Sequence, residues 1–187
     1  MAWIRTINED DATGYLKTLY KKYGDPFEGV ESIWKIHSLN PESLRFHYDL
    51  YKHLMTGKSG LSRMQREMIA IVVASVNNCQ YALEHHGESL FQLTKNRSLV
   101  DTIKTDFRSA DIGEKDITML EYVEKLAGAP CDASREEIAV LKEVGFKDAD
   151  ILDLVTVAAY FAFVTRLACG LGVAFEEPRE HKPSPFD

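Results

Sequence analysis

The chain has 187 residues, of which 45% are hydrophobic and 27% charged, with a formal net charge of −7. That length fits one domain with at most a small appendage, and the balance is ordinary for a soluble globular protein. The acidic excess, with no cluster of Lys and Arg, excludes the electrostatic footprint of a nucleic-acid binder.

The N-terminal stretch MAWIRTINEDDATG places acids where a signal peptide needs an apolar run, which points to a cytoplasmic protein. Three cysteines, Cys79, Cys131 and Cys169, are odd in number and far apart. They argue against a disulfide framework and for a reducing compartment. There is no internal repeat and no low-complexity segment. The Pro-rich end, EEPREHKPSPFD, reads as a loosely held tail.

Strand-like alternation is absent, and helix signals dominate. A first helix is expected from about Asp10 to Tyr23, ended by Gly24-Asp25-Pro26. Residues 25–40 read as a connector with a short helical piece. Pro41 then suits the first turn of a helix after Asn40, with Leu44, Tyr48, Tyr51 and Met55 at helical spacing and Gly57 to Gly60 as its end. Ser62-x-x-Gln65 is a capping box opening an apolar helix that Asn77-Asn78 interrupt, and a second helix follows over about 79–94. Further helices are expected near 97–107, 114–127, 134–144 (with the box Ser134-x-x-Glu137) and 148–169. The β-branched runs 69–76 and 151–157 imitate buried strands, but caps and lengths favour helix. Asp153, Thr156, Thr165 and Arg166 make the apolar run Ile151–Gly172 a buried helix rather than a membrane span. The expected fold is all-α: one domain, with an N-terminal helical extension (1–57), a core motif region (58–130), C-terminal helices (131–175) and a tail (176–187).

The segment NNCQYALEHH, residues 77–86, carries the chemistry. At about 100° per residue, positions 79, 82 and 86 share one helix face, while His85 points away from it. A cysteine in the first turn of a helix feels the partial positive charge of unpaired amides, which favours its thiolate. An imidazole that takes the proton, itself oriented by a carboxylate, completes the pattern of an activated nucleophile. Glu67, a lone acid in the apolar segment REMIAIVVASV, is the carboxylate candidate, because such a group is costly there unless paired.

Glu67, Cys79 twelve residues later and His86 seven beyond it resemble the Glu…Cys-x-x-Cys-x-x-x-His motif of the alkylhydroperoxidase D/carboxymuconolactone decarboxylase family. The likeness runs through NPESL, the block LMTGKSGLSRMQREMIAIVVASVNNCQYALEHHGESL and the late TRLACGLGV, and resembles the longer peroxidase-related members. It implies an AhpD-like helical bundle that assembles into a homo-oligomer (dimer, trimer or hexamer), without cofactor or metal. It also implies a peroxidase-type antioxidant activity, in which thiols reduce a hydroperoxide and an external thiol serves as reductant. Glu67 and His86 would relay a proton and Cys79 would be the first thiol.

The departure is Ala82, which occupies the place of the second motif cysteine, the attacking thiol of the family. A 79–82 disulfide cannot form, so the expected chemistry is weakened, one-cysteine reduction through a sulfenic acid on Cys79. Neither Cys131, after Pro130 at a turn, nor Cys169, on an apolar helix, sits in a recognisable redox setting. The alternatives are a cofactor-free decarboxylase of the same family, with His86 as acid/base, and a non-enzymatic oligomeric binding protein. Plainer readings stand beside each residue: Cys79 as a small buried apolar side chain, His86 as a surface histidine, and Glu67 as a helix-surface acid near Arg63 and Arg66. The aromatics Tyr48, Tyr51, Phe91, Tyr160, Phe161 and Phe163 read as core or interface. Cys79, Glu84, His85 and His86 lack the second spaced ligand pair that zinc requires.

Overall fold

In the computed structural model, residues 2–25 and 29–175 are described, and their regular structure is helical, with no β-strand among them. Pro26 and the tail 176–187 lie outside the described residues. The chain divides into two compact units, Met1–Asp49 with Leu171–Asp187, and Leu50–Gly170.

The first unit holds α1 (Gly14–Tyr23), α2 (Ser32–Lys35) and the start of α3 (Pro41–Thr56). Helix α1 begins four residues later than its periodicity suggests. Thr13 is extended and Gly14 has φ +53°, a left-handed value that glycine tolerates and that breaks the helix from Asp10 to Ala12. The buried side chains Leu16, Leu19, Tyr20 and Tyr23 form one stripe of α1. Tyr23 stacks on Tyr48 at 3.8 Å between ring centroids, and Trp34 meets Tyr48 edge-on at 5.1 Å. The Asn40 side chain accepts the Ser43 amide at 3.2 Å, so it caps α3 while Pro41 gives up no needed donor. Beneath this, the buried His47 Nδ1 lies 2.8 Å from His37 Nε2, and His37 Nδ1 lies 2.9 Å from Ser43 Oγ. Burial, reinforced by the neighbouring His37, pushes the His47 pKa down to about 3.

The second unit contains α4 (Arg63–Val76), α5 (Gln80–Thr94), α6 (Arg97–Asp106), α7 (Glu114–Gly128), α8 (Arg135–Glu143) and most of α9 (Asp148–Leu171). Both expected capping boxes form. Ser62 Oγ accepts the Gln65 amide at 3.1 Å and Gln65 Oε1 accepts the Ser62 amide at 2.8 Å, and Ser134 and Glu137 do the same for α8. Helix α4 is the core element: every residue from Arg66 to Ala74 is buried. Arg66 meets the cost of its burial by donating to the carbonyls of Leu54, Gly57 and Leu61, each at 3.0 Å, which ties the end of α3 to α4.

The Asn77-Asn78 break is a Schellman turn. Asn78 takes the left-handed conformation (φ +51°), its amide reaches Ser75 O at 3.0 Å, and the Cys79 amide reaches Ala74 O at 2.9 Å. The chain is thereby reversed in two residues, and α5 folds back on α4. Gly87 lets α6 approach α5, because a Cβ there would lie 2.2 Å from Lys104 Cε, where that side chain crosses to pair with Glu84 at 2.6 Å. Helix α9 is long and apolar enough, by length and composition, to cross a membrane. Its buried residues include Ile151, Leu154, Val157, Phe161, Val164 and Ala168, the packing of a core helix, while Leu152 and Phe163 are exposed.

Candidate functional site

Helix α4 supplies a carboxylate to the inside of the α4/α5 hairpin. Glu67 is 0% exposed, and both of its oxygens are occupied. Oε2 accepts from His86 Nδ1 at 2.7 Å, and Oε1 accepts from Arg63 Nε at 2.8 Å and Nη2 at 2.7 Å. Burial pushes the Glu67 pKa up, but the hydrogen bonds and charges of His86 and Arg63 outweigh it, and the carboxyl is held below its ordinary value. Arg63 itself is anchored on Met55 O at 2.8 Å and reaches the protein surface. Its spacing of four residues from Glu67 reads equally well as a surface pair; in the structure it instead seals one side of a buried dyad.

His86, 4% exposed, donates its Nδ1–H to a carboxylate, so its neutral form carries the free lone pair on Nε2. Phe161 of α9 packs edge-on against the imidazole at 4.5 Å between centroids. His85 turns away as its helix position predicts, stacking beside Tyr81 at 6.2 Å.

Cys79 is the N-cap of α5 and is 2% exposed; Ala82, one turn on, is equally buried. The expected thiolate activation is overturned. The amides of Ala82 and Tyr81 do lower the thiol pKa, but burial and the neighbouring Cys169 thiol raise it more, to about 11. A helix start favours a thiolate only where the sulfur keeps some contact with water, and this one does not. The expectation for Cys169 is also corrected. This exposed thiol of α9 neighbours that of Cys79, whereas Cys131 is exposed in the 3-10 turn Pro130–Asp132. The structure thus joins Glu67 to His86, and Cys79 to Cys169. Seven residues of α5 separate Cys79 from His86, about 10 Å along the axis, with Ala82 between.

Residues 41–93, which contain the whole hairpin site, match the model of the carboxymuconolactone decarboxylase family. A solved peroxidase-related protein of Silicibacter sp. TM1040 is similar over 86% of this chain and 84% of its own, with 29% identity and a TM-score of 0.81. Over this central segment the chain is similar to the alkylhydroperoxidase D/carboxymuconolactone decarboxylase family. The same fold is found in a peroxidase-related protein with an alkylhydroperoxidase AhpD core from Ralstonia eutropha JMP134. That likeness covers 94% of this chain and 93% of the other, at 22% identity and a TM-score of 0.86. It is found again in a cysteine-to-alanine variant of the debrominase Bmp8 bound to 2,3,4-tribromopyrrole, at 16% identity, a TM-score of 0.78, and 91% and 90% of the two chains covered. None of the curated proteins matches the chain. Within this alkylhydroperoxidase D-like fold, the residues that sequence reasoning missed are Arg63 as a partner of the dyad, Phe161 and Cys169. Only Arg63 had a signal, its position one turn before Glu67.

Proposed function

We propose that this alkylhydroperoxidase D-like protein is a thiol-dependent oxidoreductase that reduces hydroperoxides at Cys79, with Glu67 and His86 managing the proton. The observation that carries this reading is the buried Glu67–His86 hydrogen bond at 2.7 Å on the helix that begins with Cys79. A carboxylate–imidazole pair costs desolvation, and this one is paired on both oxygens yet leaves one imidazole nitrogen for chemistry.

In the proposed step the Cys79 sulfur attacks one peroxide oxygen and the O–O bond breaks. The sulfur becomes a sulfenic acid; the thiol proton is taken up by the free Nε2 of His86 and passed to the departing alkoxide, which leaves as an alcohol. In this reading the hydroperoxide lies over Ala82, between the thiol and the imidazole. Glu67 holds the ring orientation and stabilises its charged form, and Arg63 keeps Glu67 ionised. An external thiol restores Cys79.

The test is steady-state consumption of a small organic hydroperoxide with a monothiol reductant. Wild-type protein turns over in proportion to added thiol, and Cys79→Ser abolishes that turnover. Full activity in Cys79→Ser would reject thiol chemistry and leave the decarboxylase type of reaction, which needs only the dyad.

A further inference from the structure

Helix α9 contributes more to this site than packing. Phe161, Thr165 and Cys169 are spaced by four residues and lie on one face of that helix. Two separate contacts hold this face against the α4/α5 hairpin: Phe161 on the His86 ring at 4.5 Å, and Asn77 Nδ2 donating to Thr165 Oγ1 at 3.1 Å. One turn beyond Thr165, the same face brings the exposed Cys169 beside the buried Cys79, two residues after Asn77 at the start of α5.

We propose that Cys79 and Cys169 form a redox-active dithiol, Cys169 supplying from α9 the second thiol that position 82 lacks. The inference deepens the hydroperoxide reading and rests on it for the oxidant. After attack by Cys79 the sulfenic acid condenses with the Cys169 thiol: the S–S bond forms, the S–OH bond breaks, and the hydroxyl leaves as water with the thiol proton. An external thiol then attacks the exposed Cys169 sulfur, giving a mixed disulfide and releasing Cys79, which takes up a proton. A second external thiol frees Cys169. Over the cycle one hydroperoxide and two thiols become one alcohol, one water and one external disulfide.

The division of labour follows from exposure. A buried sulfur is shielded from a bulky reductant, and the exposed partner is the reachable half of the disulfide. Cys131 lies in a surface turn outside this contact, so it provides an internal control.

The experiment uses the full-length reduced protein and two oxidants in parallel, one equivalent of cumene hydroperoxide or one of diamide. Free thiols are alkylated, sulfenic acids are trapped with dimedone, and peptides are mapped without reduction. The expected result is an intramolecular Cys79–Cys169 link with both oxidants, alkylated Cys131, and in Cys169→Ser a dimedone adduct on Cys79 in place of the link. A link with diamide alone supports the dithiol and overturns the hydroperoxide reading. A dimedone adduct on wild-type Cys79 with no link from either oxidant overturns the dithiol and leaves the hydroperoxide reading standing. Neither link nor adduct overturns both.

Discussion

Glu67 Oε2 accepts the Nδ1–H of His86 at 2.7 Å inside the α4/α5 hairpin, while Arg63 covers the other oxygen. Removing one member of such a pair strands the others without solvent. Glu67→Ala should therefore cost about 3 kcal/mol of unfolding free energy, measured by urea denaturation at neutral pH. Glu67→Gln, which keeps the shape and one acceptor, should cost less. The carboxyl is held below its ordinary 4.5, so its contribution is present above that value and fades as pH falls through the lower folded value. A loss below about 1 kcal/mol in Glu67→Ala would mean that the dyad does not stabilise the hairpin.

A second acid-sensitive element is the His37–His47 pair. Burial and His37 hold His47 near 3, below its ordinary 6.5, so the unfolded chain binds its proton first as pH falls. Stability is complete above about pH 6.5 and declines below it, by about 2 kcal/mol at pH 5 from His47 alone. Urea unfolding of wild type and His47→Gln at pH 7 and pH 5 checks this; the variant should lose less over that interval.

The Cys79 thiol, pushed up to about 11, should alkylate slowly at neutral pH. Its rate should climb about tenfold per pH unit from 7 to 10, because only the thiolate reacts. Iodoacetamide labelling followed peptide by peptide, with exposed Cys131 as the reference, measures it. A rate that is flat above pH 7 would show a thiolate already formed.

Position 82 lies one helical turn from His86, nearer than Cys79. Placing a thiol there puts a nucleophile within direct reach of the imidazole. Ala82→Cys should raise hydroperoxide turnover by at least about a hundredfold, the lower end of what a positioned base supplies. Initial rates at fixed thiol decide it, and an unchanged rate would mean that the dyad does not serve that face.

The helices were legible because their ends are local: Ser62–Gln65 and Ser134–Glu137 are reciprocal caps, and Asn77-Asn78 supplies the left-handed turn residue. Glu67 was legible as a buried acid because an apolar helix gives it no other reason to be there, and the spacing of 79, 82 and 86 placed His86 on its side. The contribution of α9 was not legible. That helix is apolar nearly all round, with Phe163 and Leu152 exposed, so no stripe of sequence marks which side meets the hairpin. Cys169 consequently read as one more core-helix residue. The helix start at Cys79 was visible, yet the burial that overrides its effect depends on packing from elsewhere in the chain.

The most direct measurement of the central claim is single-turnover alcohol release from an organic hydroperoxide by stoichiometric reduced protein, with no external thiol. Wild type should release about one alcohol per chain, His86→Asn should do so about a hundredfold more slowly, and Cys79→Ser should release none. Alcohol release from Cys79→Ser at the wild-type rate would contradict the account.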